Sequence, residues 1–111
     1  MVLSVQEQAI KNAEFGTRCG KLYDSVVRAL GAYGNAFTHG LGHGVGIKIH
    51  ELPNLTMKSK DKLQERVVFT IEPGIYLKGW GIRIEDTVLA AKGKPVVLTK
   101  FPKRLIAIPW H

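Results

Sequence analysis

Apolar residues recur at helical spacing only in the first third of the chain. Val5, Ala9, Ile10 and Ala13 share one helical face, and Leu22, Val26, Val27 and Leu30 share another. Ser4-Val5-Gln6-Glu7 reads as a capping box, with the Ser4 hydroxyl meeting the Glu7 N–H and the Glu7 side chain reaching back. The pattern predicts a first helix that opens at Ser4 and ends near Phe15-Gly16. A second helix is expected from about Lys21 to Leu30, with Gly31 as its C-terminal glycine. Both stripes read as core.

After Gly31 the period changes to short β-branched runs punctuated by Gly and Pro. Strands are expected at Thr38–Gly46, Val67–Ile71, Ile75–Leu77, Ile82–Leu89 and Val96–Leu98, with a short one at Leu105–Ile108. Residues Leu52 to Lys62 read as an exposed connection. Two helices followed by a run of strands give an α+β fold, with the two N-terminal helices packed on a curved antiparallel sheet. With 111 residues there is room for a single core, so residues 1–111 are expected to form one domain unit.

Composition adds little beyond this and excludes several classes. Hydrophobic residues at 45% and charged residues at 23% describe an ordinary globular chain. The single cysteine, Cys19, cannot form an internal disulfide and fits a reducing compartment. No basic and apolar leader opens the sequence and no apolar run approaches a membrane span, so a cytoplasmic protein with no membrane partner is expected. Sixteen Lys and Arg against nine Asp and Glu give a net charge of +7. These cations are scattered among acids and lack aromatic interleaving, which argues for a solvated surface and against a nucleic-acid partner.

Chemistry concentrates in one stretch. Thr38-His39-Gly40-Leu41-Gly42-His43-Gly44-Val45-Gly46-Ile47-Lys48-Ile49-His50-Glu51 holds three of the four histidines and four alternating glycines. Each glycine costs about 1 kcal/mol in a helix interior, so an extended chain is expected. In that conformation His39, Leu41, His43, Val45, Ile47 and Ile49 line one side, and the bare glycine side admits another backbone. His39 and His43 would then stand roughly 13 Å apart, too far to grip one metal ion together.

A second cluster comes from register. Lys78-Gly79 is a natural two-residue hairpin loop, setting Leu77 opposite Trp80 and Ile75 opposite Ile82. Extending the ladder brings Glu72 opposite Glu85, unless Pro73-Gly74 introduces a bulge. Opposed like charges call for a cation, a shared proton or full solvation, and Arg83 supplies part of the compensation. One imidazole from His43 with these two carboxylates makes a donor set suited to divalent Mn, Co, Zn or Fe. A cation so held activates water for hydrolysis.

Three spaced motifs now stand in order: His39-Gly40-Leu41-Gly42-His43 through His50-Glu51-Leu52-Pro53, Thr70-Ile71-Glu72-Pro73-Gly74-Ile75-Tyr76, and Gly81-Ile82-Arg83-Ile84-Glu85-Asp86-Thr87. Together they resemble the pita-bread (creatinase/aminopeptidase-like) metallopeptidases, nearest to the Xaa-Pro dipeptidases (prolidases) and Xaa-Pro aminopeptidases. The likeness runs over nearly the whole chain. By that resemblance His43, Glu72 and Glu85 take metal-ligand positions, with Glu85 bridging two ions. His39 matches a histidine that contacts substrate and assists proton transfer, His50 one near the scissile peptide or substrate proline, and Arg83 an arginine steadying the bridging carboxylate. The implied reaction is hydrolysis of a peptide bond preceding proline, with Mn or Co as cofactor.

The resemblance also implies a shortfall. The family draws two further aspartate ligands from strands upstream of the helices, whereas Asp24, Asp61 and Asp86 stand in other contexts. The chain is therefore expected to be a partial domain, the C-terminal half of the pita-bread unit, holding at most one ion weakly and with little or no activity alone. Uncovered apolar surface would favour a homodimer or other self-association. Two rival readings are a non-catalytic peptide-binding or self-association module, and a glycosidase using Glu72 and Glu85 at about 5 Å separation.

Overall fold

The computed structural model describes residues 1–110. Its first helix, α1, runs Val2–Asn12, earlier than expected at both ends. Val2 is buried, which draws the first turn against the core ahead of Ser4. The capping box does not form; the Ser4 hydroxyl instead donates to the Met1 carbonyl at 3.0 Å. Gly16, at φ +83°, turns the chain toward the second helix, and its N–H bonds the Leu63 carbonyl. Helix α2 is Cys19–Leu30 and closes on Gly31 at φ +56°. Cys19 is fully buried at its start, with its thiol pushed up to about 11 by burial and then by the Asp61 charge. A 3-10 turn, Gly31–Ala36, follows.

Among the described residues seven strands make two sheets. They are β1 Gly42–Gly44, β2 Glu51–Leu55, β3 Val68–Ile71, β4 Gly74–Leu77, β5 Trp80–Arg83, β6 Asp86–Leu89 and β7 Val96–Val97. Five form an antiparallel sheet in the order β2-β1-β3-β6-β7, while β4 and β5 stand apart as a hairpin. The helices pack on the larger sheet, with α1 against β3 and α2 against β2. Phe69, Leu41, Leu55, Leu63, Ile71 and Val88 fill the space between. Among the described residues no helix is long and apolar enough to cross a membrane.

Four strand expectations change. The run Thr38–Gly46 contracts to Gly42–Gly44, because the chain bends on both sides of it. Leu41 is buried while Ile47 and Ile49 project into solvent, so the expected single face does not exist. The bare glycine side does serve close approach: a Cβ on Gly42 would collide with the Thr70 carbonyl, and one on Gly44 with the Leu52 carbonyl. The supposed connection at Leu52–Lys62 carries most of β2, which begins at Glu51. Its Pro53 lacks a ladder donor, which an edge strand tolerates. The run Ile82–Leu89 breaks at Ile84-Glu85 as the chain passes from hairpin to sheet, and Leu105–Ile108 forms no strand.

The hairpin register holds. Leu77 faces Trp80 and Ile75 faces Ile82. Gly74 pairs with Arg83 in the hairpin and Ile71 with Asp86 in the sheet, so no residue is inserted between them. The Ile84 N–H bonds the Pro73 carbonyl at 3.2 Å across this gap. Glu72 and Glu85 therefore occupy matching positions where the two sheets meet.

Candidate functional site

The site is built on backbone that other backbone has approached closely. Gly42 lets the Thr70 carbonyl in against β1, and this places the Thr70 hydroxyl where it accepts the His43 N–H at 3.1 Å. The same hydroxyl donates to Glu72 Oε1 at 3.0 Å. Glu72 is further fixed by its N–H, which bonds the Leu41 carbonyl at 2.8 Å. One threonine thus ties the histidine of β1 to the glutamate that follows β3.

The His43 ring is oriented from behind. Its Nδ1 lies 2.9 Å from the Gly44 carbonyl, which only accepts, so Nδ1 carries a proton. Nε2 faces Glu72 Oε1 at 3.4 Å, and both side chains are largely shielded from solvent. A neutral ring would set its lone pair against a carboxylate oxygen, which is repulsive. An electrophile, either a proton or a metal cation, belongs in that gap. A carbonyl fixing the far nitrogen is the arrangement that presents an imidazole to a metal.

Around this pair opens a cleft of about 380 Å³ lined by His39, His43, His50, Glu72 and Arg83, with Gly40, Gly42, Asn54 and Thr56. The His50 ring meets that of His43 edge-on, centroids 4.4 Å apart. His39 donates from Nδ1 to the Gly40 carbonyl and bonds the Tyr76 hydroxyl through Nε2, each at 2.7 Å. Its ring is buttressed by Phe37, which stacks in turn on Tyr23 of α2. The helix layer therefore reaches the cleft through aromatic contacts.

Glu85 stands apart. Its exposed side chain lines a neighbouring groove of about 620 Å³, which shares Arg83 with the cleft. Among the described residues no three His, Cys, Asp or Glu side chains converge on a metal position. The expected trio is thus only partly assembled: His43 and Glu72 are together, and Glu85 lies at the matching register position without closing on them. The break between β5 and β6 leaves it on an open link, and repulsion from Glu72 favours that separation. The residues present fit two donor positions of a divalent-cation site.

Residues 1–92 match the model of metallopeptidase family M24. The chain belongs to that family. A curated Xaa-Pro dipeptidase from Pyrococcus horikoshii is 44% identical over 110 residues, covering 96% of this chain and 31% of the relative. Among solved structures, the prolidase from Pyrococcus furiosus superposes with a TM-score of 0.88 at 41% identity, covering 92% of this chain and 31% of that one. The X-Pro aminopeptidase from Thermotoga maritima gives 0.88 at 40% identity, covering 93% and 30%. This M24 chain thus has the pita-bread α+β fold and spans about 30% of the length of these relatives. Membership of a metallopeptidase family implies a divalent-metal cofactor.

Two residues that orient cleft side chains of this M24 chain, without lining the cleft, were given no role in the sequence reading. Thr70 lies two positions before Glu72, so strand alternation places it on the same face and would have found it. Tyr76 belongs to the same motif, but its hydroxyl meets His39 across 37 residues, which no local pattern reveals.

Proposed function

We propose that this chain supplies part of the catalytic centre of a metal-dependent Xaa-Pro peptidase, which hydrolyses the peptide bond preceding a proline. The observation that carries the reading is the His43 Nε2 to Glu72 Oε1 contact, with Nδ1 of the same ring committed to a carbonyl. His43 and Glu72 would hold the divalent cation, Mn or Co, whose positive charge would make water acidic enough to attack near neutral pH. Glu85, on the open link, is the candidate for a third donor position, and Arg83, shared between cleft and groove, is the residue placed to steady it there. His39 holds or passes a proton, its ring oriented by Tyr76 and Gly40, and His50 borders the substrate at the cleft mouth.

The chain's own aspartates do not complete the set. Asp86 is engaged by Lys103, and Asp61 accepts the Asn54 N–H. Residues 1–111 are therefore a partial domain that holds one ion weakly and turns over little substrate alone. The lone free cysteine fits a cytoplasmic setting. Titration with Mn²⁺ or Co²⁺, followed by calorimetry, tests the centre: one weak site is expected, lost in His43→Ala and Glu72→Gln. No binding by the unaltered chain would sink the reading. Robust turnover of a dipeptide ending in proline would overturn the inactivity.

A second reading has its own support. Trp80, Ile82, Phe101, Leu105 and Ile108 are exposed apolar side chains, which suits a self-associating module, including a homodimer. A clean monomer in sedimentation would exclude it.

A further inference from the structure

Asp86 is 2% exposed, and both oxygens of its carboxylate are engaged. Gln6 Nε2 donates to Oδ2 at 2.7 Å and Thr99 Oγ1 to Oδ1 at 2.5 Å, while Lys103 forms an ion pair with Oδ2. Lys103 Nζ also donates to Gln6 Oε1 at 3.2 Å, closing a ring of three side chains drawn from α1, β6 and the segment after β7. Thr99 further accepts the Thr87 N–H at 3.2 Å. Apart from these bonds, residues 99–110 contain no helix or strand.

The ring lies on the helix face of the sheet. Glu85 immediately precedes Asp86 and lines one groove with Lys103 and the start of α1, so fixing Asp86 in the ring fixes one end of the link that carries Glu85. The link Ile84-Glu85 has one fixed point at the Pro73 carbonyl and the other at Asp86. We propose that Lys103 is a positioning residue: by clamping Asp86 to Gln6 it fixes the end of the Ile84-Glu85 link, and so sets where Glu85 stands in the groove that shares Arg83 with the His43–Glu72 cleft. The segment after Leu98 thereby becomes part of the site's construction although none of it enters the cleft. Its relevance to metal binding rests on the function proposed above; the mechanical claim does not.

The test is amide hydrogen exchange by NMR on the full chain, with Mn²⁺ titration in parallel, for the unaltered protein, Lys103→Met and Lys103→Arg. In Lys103→Met, exchange at residues 84–86 is expected to quicken at least about tenfold while α2 amides keep their rates. Mn²⁺ affinity is expected to fall about tenfold, and Lys103→Arg to restore both. Unchanged exchange at 84–86, an equal rise in α2, or no rescue by arginine would overturn the proposal. Absence of Mn²⁺ binding even in the unaltered chain would count against the metal centre alone, leaving the exchange comparison to decide. Should Lys103→Met fail to fold, Thr99→Val removes another anchor on the same carboxylate and is judged by the same criterion.

Discussion

Asp86 and Glu72 are carboxylates on opposite faces of the same pair of strands, both shielded from water, and they meet the cost of that shielding differently. Asp86, on the helix side, finds everything within the chain: a lysine, an amide and a hydroxyl. Glu72, on the other side, has a threonine hydroxyl, an imidazole nitrogen and an opening. A closed set of partners is a structural device. An incomplete one, held rigidly by backbone contacts, is where an added cation has most to gain. The contrast separates the residues that hold the fold from those that do its chemistry.

Removing the internal partner tests the first side most severely. Asp86→Ala leaves Lys103 and Gln6 without their common acceptor and is expected to cost about 4 kcal/mol, read as a lower urea midpoint. Next comes Gly42→Ala, which forces a Cβ into the Thr70 carbonyl under the cleft; about 3 kcal/mol is expected, with loss of Mn²⁺ binding. On the Glu72 side the direction reverses. His43→Ala should leave stability within about 1 kcal/mol, whereas Mn²⁺ at a hundred times its Kd should stabilise the unaltered chain by about 2.7 kcal/mol and the variant not at all. If Mn²⁺ stabilises both equally, the two faces do not differ as described.

Acid sharpens the comparison with a smaller effect, since a protonated Asp86 can still hydrogen-bond. Burial acts to raise the Asp86 carboxyl, but the bonds from Lys103, Thr99 and Gln6 and the Lys103 charge outweigh it and hold the group below its usual 3.8. A depressed folded value means the stabilisation is complete above the unfolded value and fades as pH falls through the folded one. Unfolding midpoints should therefore drop below about pH 4 in the unaltered chain, with that component absent in Asp86→Asn.

The sequence made α2 plain because a strong stripe and a terminal glycine agreed, and it made the β4–β5 hairpin plain because Lys78-Gly79 allows one register. The Glu72–Glu85 opposition followed from that register. Elsewhere tertiary contact overrode local pattern. Buried Val2 moved the start of α1 past a well-formed capping box. Strand β2 hid behind a proline that an edge position tolerates, and glycine alternation looked like one long strand where only three residues pair. In the cleft, His39, His43, His50, Glu72 and Arg83 were all chosen from the chain and all line it. Tyr76 and the Lys103 ring bridge distant segments and left no local trace.

Cys19 offers a practical consequence. Its thiol is sealed beneath the start of α2 and stays protonated at neutral pH, so it is doubly protected from alkylation. Any labelling by a thiol reagent must wait for α2 to lift away from the sheet. The lone thiol is thus a native clock for opening events, and a saturating metal that slows its modification would report occupancy of a cleft it never touches.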